Sequence, residues 1–496
     1  MDHIPEAEDA YYAGSRLLDP ISKASGLPLD QVNFLSCQLL EFILAFIFRI
    51  YLPPTKTSAT TRHVVELSVG LTSLLFCFGS QTWILMAQSL SCLFVMKTFR
   101  PGLMEKICCF LSLGILCSSH VYRQIYDYGG YTMDITGPLM INTQRLSSLG
   151  FSMSDGACKD KSQLTENMKR RMVENPPTYT EFFSYLFSFH MILVGPFCFY
   201  NDYINFIEGR TEQPLGTINL LVLEKLVVCL CMGYVTIKIL PHFSIKYLQD
   251  PEFVESNFFF KMYYIILCTS MTRTKYYFAW KMSEAINNNA GLAYNGLDKE
   301  GNPRWDISSN AKIRNVELST SLKALIDNWN ITTTYWLRHV VYDRVPRNKT
   351  FAVFAFSALW HGFYPGYYLT FLTATIFIAA SRMVRRNIRP FFQESSPLRM
   401  LYELLTFSTN RVAVGYLTFP FVALVFWPSW ETYKQLFFFC HIFAALIIIG
   451  LTIMPTRHGR SKSKVKDVSR SKVEENGSKS INGPQGDNAS NSLKQD

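Results

Sequence analysis

Two polar side chains in apolar surroundings could carry chemistry, and each directly follows a tryptophan. His361 lies in the run FAFSALWHGFYPGY, and Asn330 begins the run NITTTYWLR earlier in the chain. A histidine removed from water stays neutral and can accept a proton from an attacking hydroxyl. An asparagine amide can donate two hydrogen bonds, which would orient an acyl carbonyl and stabilise charge developing on its oxygen. The pair indicates acyl transfer, with a hydrogen-bonded core histidine as the alternative for His361.

The elements that must position this pair are predicted to be membrane helices. The chain has 496 residues, 49% hydrophobic and only 17% charged, whereas a soluble domain carries roughly 25% charged residues. A helix needs about 20 mostly apolar residues to span a bilayer, where no water satisfies the backbone. Apolar blocks recur at 32–50, 64–78, 83–96, 107–122, 185–199, 220–240, 258–271, 351–359, 367–380, 412–427 and 436–454. We therefore predict an all-α bundle of about ten or eleven membrane segments around a buried polar cavity, some shorter ones being re-entrant or internal.

One stretch departs from the apolar pattern. Residues 273–347 are polar and aromatic, yet they lie between apolar blocks and are too long for a linker. Polar backbone at this position is tolerated only where protein buries it or a wet cavity adjoins it. We therefore expect the functional site in this part of the chain.

The chain divides into three predicted regions: a polar segment at 1–30 without signal-peptide character, a membrane domain at 31–455, and a basic tail at 456–496. The tail has few large apolar residues and no interleaved aromatics, so we expect it to be disordered, cytosolic and not a nucleic-acid binder. Basic clusters in the connections would lie on the cytosolic side. These are Lys97, Arg100, Lys106, Lys159, Lys161, Lys169, Arg170, Arg171, Arg382, Arg385, Arg386 and Arg389.

The two motifs together resemble the membrane-bound O-acyltransferase (MBOAT) family, and within it the lysophospholipid acyltransferase branch. Trp329-Asn330 is continued by TxxWLR, and Trp360-His361-Gly362 is continued by YPGYY after one residue. The runs KYYFAW at 275–280, DITGP at 134–138 and the segment 189–209 also fit the branch, so the resemblance covers residues 30 to 455.

The resemblance implies direct transfer from acyl-CoA, a co-substrate, inside a tunnel within the bilayer, with no cofactor. It implies that His361 is the catalytic histidine and Asn330 its partner. It also implies an endoplasmic reticulum membrane and, from the sub-branch, lysophosphatidylserine or lysophosphatidylethanolamine with an unsaturated acyl chain. The terminal LKQD is not a dilysine retrieval signal, so the localisation rests on the family.

Several other residues are candidates for substrate binding, each with a structural alternative. The aromatic residues at 276–280 would form a substrate wall or an aromatic belt at the headgroup level. The cations, Arg344 included, would contact phosphates of CoA or of a headgroup, or anchor cytosolic connections. His190 would line the cavity or pack in the core, whereas His339 and His242 suit surface or interface positions. The candidates are Trp329, Trp336, Trp360, Gly362, Tyr276, Tyr277, Trp280, Arg273, Lys275, Arg338 and His190.

Other functions have less support in the sequence. A sterol, a diacylglycerol or a secreted protein could be the acceptor within the same fold. A transporter would show internal repeats, and we find none. No Gly-x-Ser-x-Gly elbow or glycine-rich nucleotide loop occurs, and no histidines or cysteines recur at metal-ligand spacing. The 12 cysteines are scattered through apolar runs and are predicted to be buried thiols.

We predict that the tail is dispensable for chemistry, because it carries neither motif of the Asn–His pair. Truncation after Arg460, assayed in detergent with saturating acyl-CoA and acceptor, should leave turnover unchanged. Its basic residues would add about 1 kcal/mol each of attraction to an anionic membrane, so vesicle binding can weaken. A truncated protein that inserts normally but loses turnover would contradict this division of the chain.

Overall fold

The computed structural model describes residues 12–453 except 131, 211–213, 215 and 217. Within this part the protein is helical and contains no β-strand, which confirms the predicted all-α class. Two isolated β-bridges join Leu297 to Pro303 and Ala311 to Trp329. The predicted tail at 456–496 lies outside the described residues.

The α-helices of the described part are α1 (Asp19–Ser25), α2 (Leu29–Tyr51), α3 (Ala59–Phe78), α4 (Thr82–Thr98), α5 (Met104–Tyr126), α6 (Thr136–Gly156), α7 (Glu166–Arg171), α8 (Tyr179–Leu186), α9 (Phe189–Ile192), α10 (Tyr200–Ile207), α11 (Ile218–Tyr234), α12 (Pro251–Glu255), α13 (Phe258–Ala290), α14 (Ile313–Glu317), α15 (Leu322–Asn328), α16 (Ile331–Leu337), α17 (Lys349–His361), α18 (Pro365–Asn387), α19 (Ser396–Ala423), α20 (Phe426–Gln435) and α21 (Phe439–Ile453). Short 3₁₀ segments lie at Gly79–Gln81, Lys161–Gln163, Leu240–His242, Ile245–Gln249 and Arg389–Phe392, and π-helical turns at Val235–Ile239 and Arg338–Tyr342.

Fewer helices than predicted are long and apolar enough to cross a bilayer. In the described residues there are five such runs, or six if α20 and α21, bent by 71°, form one span. The predicted count of ten or eleven is therefore not confirmed. The blocks at 64–78 and 83–96 belong to one 40-residue run, Ala59–Thr98. The block at 185–199 forms short, buried pieces, because an apolar run can serve interior packing as well as lipid contact.

Helix α13 extends well beyond the apolar block that predicted it. The side chain of Asn257 accepts a hydrogen bond from the first turn, and the helix ends 33 residues later at Gly291, whose φ is 98°. The predicted block ended at residue 271, where polar side chains begin. The second half is nevertheless helical, because the bundle buries its polar residues, among them Lys281, Glu284 and Asn287.

Helix α6 is polar but lies in the interior, where its side chains bind neighbouring elements. The Gln144 Nε2 donates to the Thr333 Oγ1 at 3.0 Å, and the Trp336 Nε1 donates to the Ser147 Oγ at 2.9 Å. Both partners are on α16, which begins directly after Asn330. Helix α6 therefore fixes the position of α16, the short helix that directly follows Asn330.

The N-terminal segment packs against the bundle from residue 12 onward. The Asn33 Nδ2 donates to the Tyr12 hydroxyl at 2.9 Å, and the Ser15 backbone N–H donates to the Phe76 carbonyl at 2.8 Å. The predicted boundary at residue 30 thus falls inside a packed region, at the start of α2.

All 12 cysteines are free thiols and eight are buried, which agrees with the sequence prediction for most of them.

Candidate active site

A cavity of about 450 Å³ lies where α5, α6, α13 and α16–α19 meet. Residues from the DITGP run and from the segment at 193–197 contribute to its wall. Seven of the thirteen predicted site residues also line it: His361, Asn330, Trp360, Gly362, Tyr276, Trp280 and Lys275. The structure thus brings together the two motifs that are separate in sequence.

The His361 imidazole lies at the C-terminal end of α17 among aromatic rings. It stacks on Phe371 with ring centroids 5.4 Å apart, and meets Phe421 edge-on at 5.1 Å. The rings of Trp360 and Tyr367 complete the aromatic surroundings, with centroids 4.7 and 5.6 Å from the centroid of the imidazole. Neither ring nitrogen has a hydrogen-bond partner among the described residues. The imidazole is therefore held by packing and keeps both nitrogens for a ligand in the cavity.

The backbone at Gly362 permits this arrangement. Gly362 ends α17 with a φ of 114°, which L-residues rarely adopt. A Cβ added there would lie 3.1 Å from the His120 Cγ, closer than ordinary packing allows. His120 itself lines the cavity and its Nε2 lies 3.2 Å from the Trp360 carbonyl oxygen. Glycine therefore allows a second histidine to pack directly behind the tryptophan–histidine pair.

Asn330 lies immediately before α16 in the left-handed conformation, with φ 50° and ψ 49°. Asparagine tolerates this conformation better than most residues. Its carbonyl accepts the backbone N–H of Thr334 at 3.0 Å, and its side-chain Oδ1 accepts the Asn310 Nδ2 at 3.1 Å. No partner for the Asn330 Nδ2 is found in the described part of the chain. The backbone thus turns the residue toward the cavity and leaves its amide nitrogen for a ligand.

The aromatic candidates form a packed wall rather than a scattered belt. Trp329 contacts Trp280, Tyr277 and Tyr276 with ring centroids 4.8, 5.6 and 5.9 Å apart. Tyr276 and Trp280 line the cavity, whereas Trp329 and Tyr277 lie behind them. This placement favours the substrate-wall alternative for the two residues at the cavity surface.

Of the four cationic candidates, Lys275 lines the cavity. The other three are Arg273, Arg338 and Arg344. Arg273 instead donates to both carboxylate oxygens of Glu317, from Nε at 2.8 Å and from Nη2 at 2.7 Å. The Tyr277 hydroxyl donates to the same carboxylate at 2.6 Å. Arg273 therefore holds the element behind the aromatic wall and does not contact the cavity.

The other two arginines lie outside the cavity wall. Arg338 is 62% exposed, and its Nε lies 3.7 Å from a carboxylate oxygen of Asp343. Arg344 donates to both carboxylate oxygens of Asp155, at 2.7 and 2.6 Å. The bidentate pair joins the end of α6 to the residues just after the π-helical turn, which is a structural role.

Three further histidines and Trp336 lie outside the cavity wall. His190 is buried with its Nδ1 3.0 Å from a carboxylate oxygen of Glu66, so it has the packing role that was the alternative. A surface or interface position was predicted for His339, and this is wrong. The π-helical turn directs the residue inward, where it is fully buried 3.2 Å from the Ser152 Oγ. The prediction for His242 is confirmed, since it is exposed. Trp336 is fully buried against Trp360, also with a packing role.

Among the polar cavity residues that the sequence analysis did not single out are His120, Asn310, Asp134 and Arg123. His120 lies inside the apolar block at 107–122, where a polar residue is itself a sign of a functional site. Asp134 belongs to the DITGP run and accepts a hydrogen bond from Arg123 at 3.1 Å. Asn310 lies within the polar stretch but has no distinguishing local pattern.

No group of three or more histidine, cysteine or carboxylate side chains in the described residues could hold a metal ion.

Comparison with known proteins decides the family. Residues 121–419 match the sequence model of MBOAT, the membrane-bound O-acyltransferase family. The chain belongs to this family. It is therefore an acyltransferase and a multi-pass membrane protein. The matched range contains both motifs and most of the cavity wall.

Individual relatives of this O-acyltransferase are similar over most of its length. It is 39% identical to membrane-bound glycerophospholipid O-acyltransferase 2 of Gallus gallus over 484 residues, 93% of each chain. The human protein of the same name is 38% identical over 486 residues, 94% of each chain. Lysophospholipid acyltransferase 6 of Drosophila melanogaster is 39% identical over 463 residues, which cover 90% of this chain but 64% of the fly protein.

We expect Gly362→Ala to destabilise the protein and to lower its activity. A side chain at a φ of 114° costs about 1–3 kcal/mol, and its Cβ would press on His120 next to the His361 backbone. Thermal unfolding in detergent and an acyl-transfer assay measure the two effects. Gly114→Ala in α5 is the matched control, since a Cβ there meets no atom within 4 Å. Equal stability and turnover of the two variants would refute the strain argument.

Proposed function

We propose that this O-acyltransferase moves an acyl chain from acyl-CoA to the free hydroxyl of a lysophospholipid. The observation that carries the proposal is that His361 and Asn330 line one cavity inside the bundle. The names of the relatives support a glycerophospholipid product. Lysophosphatidylserine or lysophosphatidylethanolamine as acceptor, an unsaturated acyl chain and an endoplasmic reticulum membrane are the finer parts of the proposal, and they rest on the resemblance of the motifs.

In the proposed reaction the His361 imidazole takes the proton of the acceptor hydroxyl as its oxygen attacks the thioester carbonyl carbon. The Asn330 amide donates to the carbonyl oxygen while negative charge develops there. The C–S bond then breaks, an ester remains, and the CoA thiolate takes the proton from the imidazolium. General-base assistance contributes about 10²- to 10⁴-fold to such a reaction.

The composition of the cavity supports direct attack by the acceptor. Its wall in the described residues contains no cysteine and no serine. Cys117, on α5, does not line the cavity, and its Sγ lies 4.0 Å from the carbonyl oxygen of Leu359. A thioester is already activated, so a protein nucleophile is not required.

A sterol, a diacylglycerol or a secreted protein remains the second class of acceptor. The relatives' names favour the lysophospholipid. A panel assay on purified protein with one acyl-CoA and lysophospholipids of different headgroups, a sterol and a diacylglycerol separates the classes. Transfer to the sterol or the diacylglycerol, with none to any lysophospholipid, would overturn the proposed acceptor.

Replacing His361 by alanine should reduce transfer by about 10²- to 10⁴-fold, because the base that takes the hydroxyl proton is lost. Expression and membrane insertion should remain, since the imidazole makes ring contacts but no hydrogen bond in the described structure. The measurement is turnover of purified variants at saturating substrates.

His242→Ala is the matched control, because that histidine is exposed and is not part of the cavity wall. It should retain wild-type turnover. Wild-type turnover in the His361→Ala protein would remove the histidine from the proposed mechanism.

No covalent acyl-protein should accumulate when acyl-CoA is supplied without acceptor. Direct attack forms no acyl-enzyme, and no cysteine or serine lines the described cavity wall. Intact-protein mass spectrometry after incubation and rapid quenching measures the adduct. A stoichiometric acyl adduct on a cysteine or serine, formed and discharged at the rate of turnover, would contradict the direct mechanism.

A further inference from the structure

Asn310 lies in the cavity wall beside Asn330, although the chain separates them by a helical detour through α14 and α15. It is 4% exposed and its side chain makes three hydrogen bonds. Its Oδ1 accepts the Thr332 backbone N–H at 3.1 Å and the Thr332 hydroxyl at 2.8 Å. Its Nδ2 donates to the Asn330 Oδ1 at 3.1 Å. One side chain therefore connects the backbone of α16 to the amide of the predicted catalytic partner.

These contacts determine which end of each amide lies where. A backbone N–H can only donate, so the Asn310 atom that faces Thr332 must be the oxygen. The other end of Asn310 is then its NH₂ group, which can only donate. The Asn330 atom that it meets must accept and is therefore Oδ1, so the remaining end of Asn330 is its NH₂ group. The direction of the Thr332 peptide thereby sets the direction of the Asn330 amide.

The segment that carries Asn330 is also held by backbone contacts at Asn310 and Ala311. It therefore stays in place without the contact from the Asn310 Nδ2. The Ile331 N–H donates to the Asn310 carbonyl at 3.0 Å, and Ala311 pairs with Trp329 in a β-bridge. The Nδ2 contact to Asn330 adds no further connection between elements, since both residues are already fixed. What it adds is a preference between two orientations of the Asn330 amide that differ by a half-turn.

We propose that Asn310 is a positioning residue that keeps the NH₂ group of Asn330 directed at the reacting acyl carbonyl. This rests on the proposed function of the cavity and specifies it further. Asn330 acts as a hydrogen-bond donor to the carbonyl oxygen, and it does not act as an acceptor for the hydroxyl. Asn310 makes no contact with the reacting atoms and acts through Asn330.

The direct test is Asn310→Asp, which keeps the oxygen that accepts from Thr332 and replaces the donor by a second carboxylate oxygen that also brings negative charge; the double-mutant cycle below separates the two effects. A carboxylate cannot donate to the Asn330 Oδ1, so the Asn330 amide turns over and presents its oxygen to the cavity. The loss of a donor to developing negative charge lowers kcat by about 10²- to 10³-fold. KM for both substrates stays unchanged, because the lost interaction belongs to the transition state.

Asn315→Asp is a matched control in the same part of the chain. The Asn315 Nδ2 donates to the Asn328 Oδ1 at 3.1 Å, the same type of contact, but neither residue lines the cavity. This variant should keep wild-type kcat and KM. A kcat for Asn310→Asp equal to that of the control would overturn the inference.

A double-mutant cycle separates positioning from a structural role. Asn330→Gly removes the amide and suits the left-handed backbone. Asn310→Asp should lower kcat in the wild-type background but should have no further effect in Asn330→Gly, because its only route to the reaction is then absent. An equal loss in both backgrounds would show that Asn310 acts independently of Asn330.

Asn330→Asp provides a second test that does not depend on the folding of Asn310→Asp. Its carboxylate still accepts from the Asn310 Nδ2, so insertion and thermal stability should match wild type. It has no hydrogen to donate into the cavity, and kcat should fall by about 10²- to 10³-fold. Wild-type kcat in this variant would refute the donor role. Absence of acyl transfer by the wild-type protein would refute the proposed function instead, so the two failures are distinguishable.

Discussion

Buried polar groups inside this bundle need protein partners, and the polar side chains of α6 find theirs on distant elements of the chain. Arg145, at the middle of α6, is fully buried, and its guanidinium donates to the carbonyls of Tyr185 and Leu186 at 2.9 and 2.8 Å. An unpaired guanidinium here would be very costly, because little water is available to replace those carbonyls. The same helix binds α16 through two side-chain hydrogen bonds. The polar face of α6 therefore connects the end of α8 on one side to α16, the helix that follows Asn330, on the other.

The site combines two different ways of holding a side chain. Asn330 is fixed by hydrogen bonds and by a left-handed backbone, so its orientation has a chemical direction. His361 is fixed by aromatic packing at the end of α17, so its position is defined but its nitrogens are not engaged within the described structure. The roles proposed for the two residues suit this division. A donor to a carbonyl must keep one direction throughout, whereas a base must change its protonation state during the reaction.

The sequence predicted the parts of the site that carry local signals. His361 and Asn330 each follow a tryptophan in a specific motif, and the polar stretch after residue 273 supplies part of the cavity wall. Asn310 and His120 were not predicted, because their importance depends on partners far away in the chain. His339 was misplaced for a related reason: charged neighbours suggested the surface, whereas the helical turn directs it inward. The number of spans was not confirmed, because apolar composition cannot distinguish contact with lipid from contact with other helices.

The absence of a described hydrogen bond to His361 has a consequence for the tautomers of its ring. In many acid–base sites a carboxylate or carbonyl binds one nitrogen and thereby selects a single tautomer. Here aromatic packing holds the imidazole, and no hydrogen bond within the described residues selects between Nδ1–H and Nε2–H. The selection therefore falls to the substrate, whose hydroxyl is best placed to bind the ring when the nitrogen that it meets is unprotonated. In the proposed reaction, the acceptor hydroxyl would therefore select the tautomer of its own base.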